Sequence, residues 1–293
     1  MSTQAYRDEQ IRAAVQERYA SAARLTLAGG SSGCCSGEDS TCCGEAAKTK
    51  AIDPITSGLY DEADTAFDAA LVASLGCGNP SALAELRPGE DVLDLGSGGG
   101  LDVLLSARRV APGGTAYGLD LTPEMLELAE KNRAEAGVEN ARFILGSIED
   151  VPLPYRCVDV VISNCVINLS PDKDAVLREA YRVLRPGGRF AVSDIVLLRQ
   201  IPDHLREVMA LWTGCISGSL LDADYVSKLQ AAGFEDASVE VTRRYTTTDL
   251  EAMTDQLDLS QLPSGTTPDE AIAALDGAFA SAFIRASKPV RAQ

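Results

Sequence analysis

Apolar positions recur with helical spacing at the start of the chain. Ile11, Val15, Tyr19 and Ala22 fall three or four residues apart with Arg and Glu between them, so residues 5–27 are expected to form an amphipathic helix. The pattern then breaks. GGSSGCCSGEDSTCCGE contains no apolar residue to pack, and DPITSGLYDEAD reads as turn and helix entry. A helical stretch over 62–75 follows and ends at the breaker cluster Gly76-Cys77-Gly78-Asn79-Pro80.

From residue 90 the period changes. DVLDL, TAYGLDL, ARFILG, VDVVIS and RFAVSDIVLL are short apolar runs, separated by helical stretches that are clearest at 101–110, 123–137 and 173–185. Strands alternating with helices predict an α/β fold: an open, mostly parallel sheet with helices on both faces. Arg185-Pro186-Gly187-Gly188 reads as a helix stop and turn before the fifth strand. Beyond residue 200 the pattern predicts helices near 203–213 and 222–232 and strands at 237–245 and 278–287. Three regions result: an N-terminal helix and Cys-rich arm (1–61), an α/β core (62–198) and an α+β C-terminal cap (199–293).

The composition narrows what such a fold could do. With 45% hydrophobic and 24% charged residues in 293, the chain has material for an ordinary globular core. Lys+Arg is 26 against Asp+Glu 43, a net charge of −17, which argues against a grip on nucleic acid or on an anionic membrane. No apolar run is long enough to span a bilayer, and the opening MSTQAYRDEQ has no apolar signal core. A cytoplasmic protein, working as a monomer, is the expectation. One histidine, His204, leaves little scope for a His-based triad or a multi-His metal site. The eight cysteines are too few for a disulfide scaffold in a chain of this length. They fall as two adjacent pairs, Cys34-Cys35 and Cys42-Cys43, and four singles, Cys77, Cys157, Cys165 and Cys215.

Asp94-Leu95-Gly96-Ser97-Gly98-Gly99-Gly100 follows the first strand and opens a helix. Glycines there let the backbone approach a ligand at the carboxyl edge of the sheet. Asp120, at the end of the second strand, is placed to accept from two ribose hydroxyls. A NAD loop shares such an acid but would read G-x-G-x-x-G. The spacing Gly96-x-Gly98-x-Gly100 behind Asp94, with Leu184-Arg185-Pro186-Gly187-Gly188 before strand five, resembles the S-adenosylmethionine-dependent methyltransferases of class I, whose fold is Rossmann-like. That resemblance implies S-adenosyl-L-methionine as cofactor. Gly96, Gly98 and Gly100, with Asp94, would line its methionine part. Asp120 and its neighbours Leu121 and Met125 would hold the ribose, Ile148 and Glu149 would lie beside the adenine, and Asn164 would face the methyl donor. Many relatives carry an Asp for the adenine amine where this chain has Ser147, so that contact must come from the main chain or a neighbour.

Three cysteines sit where a ligand would. Cys165 follows strand four, and Cys77 and Cys215 lie in glycine-flanked loops, whereas Cys157 reads as a buried free thiol. Leu75-Gly76-Cys77-Gly78-Asn79-Pro80, Ser163-Asn164-Cys165-Val166-Ile167-Asn168-Leu169 and Gly214-Cys215-Ile216-Ser217-Gly218 resemble the three cysteine motifs of the arsenite S-adenosylmethionine methyltransferases, a likeness running from about residue 15 to the C-terminus. The resemblance implies methylation of trivalent arsenic, offered as arsenite or its thiol conjugates and bound by Cys77, Cys165 and Cys215. It also implies a redox cysteine near the N-terminus that pairs with Cys77. Cys34 matches it best, with Cys35 adjacent and open as the alternative. Reducing thiols of the glutathione or thioredoxin type would complete the cycle.

The chemistry of the residues agrees. Thiolates suit a soft, three-coordinate centre, and its lone pair carries no proton, so no general base is required. Cys42-Cys43 are read either as a dispensable loop or as a metalloid-capture pair. Two other readings stand beside this one. A quinone or phenol methyltransferase would tolerate Cys165→Ser, and a metalloid sensor or sequestering protein would not bind the cofactor.

Overall fold

The computed structural model describes residues 3–28, 78–80, 84–202, 218–254 and 267–290 of the 293-residue chain. The helices expected at 62–75 and 203–213 lie outside these residues. After α1 (Thr3–Leu27) the expected alternation is present: β1 (Val92–Leu95), α2 (Leu101–Val110), β2 (Ala116–Asp120), α3 (Pro123–Glu135), β3 (Ala141–Leu145), β4 (Val158–Asn164), α4 (Lys173–Val183) and β5 (Leu184–Leu197). Then come β6 (Leu220–Leu221), α5 (Asp222–Ala231), β7 (Glu235–Arg244), α6 (Thr247–Thr254), α7 (Pro268–Leu275) and β8 (Phe279–Ser287).

The strands form one eight-stranded sheet in the order β3-β2-β1-β4-β5-β8-β7, with β6 paired to the end of β5. Pairing is parallel from β3 to β5 and antiparallel where β8 meets β5 and β7. The apolar runs are continuous because both faces of the parallel strands are covered. Neighbouring residues of β1 point to opposite faces: Leu93 and Leu95 pack with Val161 and with Val176 and Leu177 of α4, while Val92 joins Val160, Ile162 and Val110 of α2. The C-terminal region, expected as a cap, contributes β7 and β8 to this same sheet. No helix of the described residues is long and apolar enough to cross a membrane.

One local expectation is corrected. Helix α4 stops at Val183, but Arg185-Pro186-Gly187-Gly188 is taken into β5 as an irregularity: Val158 pairs with Leu184, and Val160 pairs with Arg189. Lys288 explains it. Its carbonyl accepts from Gly187 N–H at 2.8 Å, its N–H donates to Gly188 O at 2.9 Å, and its ammonium reaches the α4-end carbonyls of Tyr181 and Leu184 at 2.6 and 2.8 Å. Gly187 has φ +81°, a conformation that suits glycine.

Helix α1 docks against α3. Ala23, Met125 and Leu128 form a small buried cluster, Gln16 Nε2 donates to Leu121 O at 3.3 Å, and Arg24 pairs with Glu124 at 2.7 Å. These contacts lay the N-terminal helix beside the carboxyl end of β2.

Candidate cofactor and acceptor site

Strand order reverses between β1 and β4, and open α/β sheets bind ligands outside the carboxyl ends of the strands at such a point. There, Gly96 and Ser97 N–H both donate to Leu119 O, at 2.8 and 3.0 Å, which folds the glycine loop back toward β2. Gly96, Gly98 and Gly100 all have positive φ. A Cβ on Gly96 would stand 2.5 Å from both γ carbons of Val166, and one on Gly100 would stand 2.7 Å from the Phe143 ring. The loop therefore lies against its surroundings as only glycine can. Asp120 ties it down: Oδ2 accepts from Gly98 N–H and Oδ1 from Thr122 N–H, each at 2.8 Å. Burial nevertheless raises the Asp120 pKa, against the hydrogen bonds from Thr122 and Gly98 that lower it.

Beneath the loop, Asp94 is 2% exposed and its Oδ1 has no hydrogen-bond partner in the protein. Desolvation, followed by the charges of Asp102 and Asp120, pushes its pKa well above the ordinary carboxylate range. A buried acceptor without a partner among other acids fits a ligand that brings a cationic group, and the residues present thus suit a cofactor with an amino group at this end.

Around the loop is a cleft enclosing about 650 Å³, part of it open to solvent. Of the residues expected at a cofactor site, Gly96, Gly98, Asp120, Leu121, Ile148 and Glu149 line it. Asp94, Gly100, Met125 and Asn164 are not among its lining residues. Ser147, the position where many relatives carry an Asp for the adenine amine, lines the cleft as well, and sequence reasoning missed the rest: Arg12, Val15 and Tyr19 of α1, then Thr122, Val166, Leu169, Ser170 and Pro171. The three α1 residues carried a signal, since they share one helical face. At the far end, Glu149 accepts from the hydroxyls of Ser147 and of Ser170, the latter at 2.6 Å, and faces Arg12 at 3.5 Å. Desolvation lifts Glu149, but these hydroxyls, its own backbone N–H and Arg12 together hold its pKa below the ordinary range.

Cys165 follows β4 immediately. It is 2% exposed, has φ +60°, and its N–H donates to Ser193 O at 2.9 Å. Its sulfur is disulfide-bonded. The next residue, Val166, is the cleft wall against Gly96. Asn164, expected to face a methyl donor, has its carboxamide on Gly78 and Asp102: Nδ2 donates to Gly78 O at 2.7 Å and to Asp102 Oδ2 at 3.2 Å, and Oδ1 accepts from Gly78 N–H at 3.2 Å. Asn168 Nδ2 reaches Asp194 Oδ1 and Ile195 O, both at 2.7 Å, and Ser219 Oγ at 3.3 Å. Asp194 is buried, and desolvation raises its pKa to about 7. Cys157 is a half-buried free thiol at the amino end of β4, away from the cleft, as a structural cysteine would be, and desolvation raises its pKa. Cys34, Cys35, Cys42, Cys43, Cys77, Cys215 and His204 lie outside the described residues. Among the described residues, no group of three His, Cys, Asp or Glu side chains is placed to hold a metal ion.

A parallel sheet with a switch-point cleft, a triple-glycine loop tied to the acid ending β2 and two antiparallel strands after β5 define a class I methyltransferase. The family model described as "Methyltransferase domain" matches residues 86–237, more than half of the chain. The chain belongs to that family. It is 41% identical over 237 residues to the arsenite methyltransferase of Halobacterium salinarum, covering 79% of this chain and 59% of that protein. It is 38% identical over 204 residues to the arsenite methyltransferase of Aquipseudomonas alcaligenes, with 67% and 56% covered. The chain thus spans less than two thirds of the length of these relatives. Among solved structures, the arsenic (III) S-adenosylmethionine methyltransferase of Chlamydomonas reinhardtii matches with a TM-score of 0.55 and 29% identity, over 81% of this chain and 72% of that one.

Proposed function

We propose that this protein binds S-adenosylmethionine in the switch-point cleft and methylates trivalent arsenic held by Cys77, Cys165 and Cys215. The observation that carries the reading is the place of Cys165: a buried cysteine at the carboxyl end of β4, one residue from the cleft wall at Val166. The names of the curated relatives support the substrate.

Bound there, S-adenosylmethionine supplies a methyl group made electrophilic by its sulfonium. Gly96 and Gly98 leave room for its methionine part, Asp94 offers an acceptor for its amino group, and Asp120 offers acceptors for the ribose hydroxyls. Leu121 and Ile148 give the apolar side of the cleft, and Arg12, Val15 and Tyr19 of α1 cover it. Thiolates in place of oxygen ligands leave the arsenic with a lone pair and no proton to remove, which suits a site in which no base is required. Holding that lone pair in line with the methyl group is then a matter of position. Arsenic that gains a methyl cation through its lone pair becomes pentavalent and must regain two electrons. Two thiolates that close to a disulfide supply them. Cys77 with Cys34 or Cys35 is the pair we assign, reopened by glutathione- or thioredoxin-type thiols. We read 62–198 as the cofactor core and 199–293 as completing the arsenic site. We further read a monomeric, cytoplasmic enzyme whose net charge of −17 suits neither nucleic acid nor anionic membrane.

The test is purified protein with arsenite, S-adenosylmethionine and a thiol, the arsenic species being separated by chromatography. Methylated arsenic should form, and Cys165→Ser and Cys215→Ser should each abolish it while sparing cofactor affinity. Normal turnover by either serine variant would refute the three-thiolate site.

A further inference from the structure

We propose that Ser147 and Ser170 are positioning residues that fix the Glu149 carboxylate as a hydrogen-bond acceptor at one end of the cleft, and that this end selects a cofactor whose base carries an amino group over one whose base carries a carbonyl. The proposal rests on the placement of S-adenosylmethionine in the cleft above.

The two serines come from different segments. Ser147 follows β3 and opens a tight turn, in which its carbonyl accepts from Asp150 N–H at 3.2 Å. Ser170 follows the turn Ile167–Leu169 beyond β4 and is 5% exposed. Its carbonyl accepts from the Lys173 ammonium at 2.9 Å, and its N–H donates to Ile167 O at 3.1 Å.

A hydroxyl has one proton to give. Each of these hydroxyls is already turned by a main-chain donor: Glu149 N–H donates to Ser147 Oγ at 3.3 Å, and Asp172 N–H donates to Ser170 Oγ at 3.1 Å. Both protons go to Glu149. Ser147 donates to Oε2, and Ser170 donates to Oε1 at 2.6 Å. One carboxylate oxygen is thus tied to the β3 side of the cleft and the other to the β4 side, which fixes its plane. An ionised carboxylate has about four lone-pair sites, so acceptor capacity remains after two hydroxyls are bound. Arg12 of α1 balances the charge from 3.5 Å.

The surroundings define what that capacity can meet. Glu149, Ser147 and Ser170 all line the cleft, and Leu121, Ile148, Leu169 and Pro171 line it beside them. Apolar walls with a fixed acceptor at the end suit a flat heterocycle that presents N–H. The adenine of S-adenosylmethionine does so with its amino group. A 6-oxopurine would set a carbonyl oxygen against the carboxylate, acceptor against acceptor. This chain carries Ser147 where many relatives carry an Asp, and the serine acts through Glu149.

The experiment compares S-adenosylhomocysteine with S-inosylhomocysteine, its 6-oxo analogue, by calorimetry on the full-length protein. The parent should bind the adenine compound at least about a hundredfold more tightly. Ser147→Ala with Ser170→Ala should weaken the adenine compound by about tenfold and leave the inosine compound within about twofold, so the ratio falls to about tenfold. Ser147→Thr and Ser170→Thr keep the hydroxyl and should restore the ratio. A merely structural role would weaken both ligands alike, and that result overturns the proposal. So does a double variant with the parent's ratio. If the double variant does not fold, the two single alanine variants decide, each expected between parent and double. Equal affinities in the parent would mean that Arg12, a donor, meets the base, and would overturn the selection while the cofactor placement stands. If the parent binds neither compound, the cofactor placement fails and the proposal with it.

Discussion

Gly96→Ala tests the packing of the glycine loop, and the structure supplies its own control. Two costs are expected at Gly96. The first is backbone: φ is +80°, and an L-residue in the left-handed region costs about 1–2 kcal/mol. The second is steric. The new methyl would stand 2.5 Å from both γ carbons of Val166, far inside van der Waals contact, and overpacking of this kind costs about 1–3 kcal/mol. Gly89 has φ +88° with nothing within 4 Å of its added Cβ, so Gly89→Ala carries the backbone cost alone. Equilibrium urea unfolding should therefore place Gly96→Ala about 1–3 kcal/mol below Gly89→Ala, and about 2–5 kcal/mol below the parent. Because Gly96 and Val166 both line the cleft, calorimetry should also show weaker cofactor binding for Gly96→Ala only. Equal stabilities for the two alanine variants, with unchanged cofactor affinity, would refute the close approach of loop and Val166.

Three further outcomes follow from the site. Asp120→Asn keeps one acceptor but sets an NH₂ against Gly98 or Thr122 N–H, so stability should fall by about 1–3 kcal/mol and cofactor affinity with it, both measurable by calorimetry. Asp194, raised to about 7 from an ordinary 3.8 by burial, with Lys173 and Tyr225 facing it, binds a proton on folding. Its contribution is fully present below about pH 4 and is lost as pH rises through about 7, so parent minus Asp194→Asn stability should decline across that range. A flat difference in urea titrations would refute the buried carboxyl. Cys77→Ser, or loss of both Cys34 and Cys35, should stop methylation of arsenite but spare trivalent monomethylarsenic, which has one arsenic bond already occupied by carbon. Product speciation decides, and equal failure on both substrates would make Cys77 a ligand throughout.

The five core strands were legible because parallel strands covered on both faces leave continuous apolar runs, and Leu93, Leu95, Val161 and Ile162 are such runs. What was not legible depends on partners far away in the chain. Arg185-Pro186-Gly187-Gly188 has the composition of a turn, yet Lys288, about a hundred residues on, supplies the hydrogen bonds that take it into β5. β6 is two residues long and leaves no period to read. The sheet edge at β7 alternates half-buried and exposed positions, which gave a strand but not its place beside β8.

The site divides in the same way. The glycine spacing and Asp120 were readable because loop and acid act through local backbone geometry. Helix α1 was readable as a helix but not as the cover of the cleft, since its docking rests on Gln16 with Leu121 and Arg24 with Glu124, contacts that span about a hundred residues. Asn164 shows the limit most clearly. A neighbouring residue type can suggest that a side chain faces a ligand, but only the fold brings Gly78 within 2.7 Å of its Nδ2. Thiol chemistry is a property of residue type and can be counted along a chain. Convergence of thiols is a property of what holds the backbone around them.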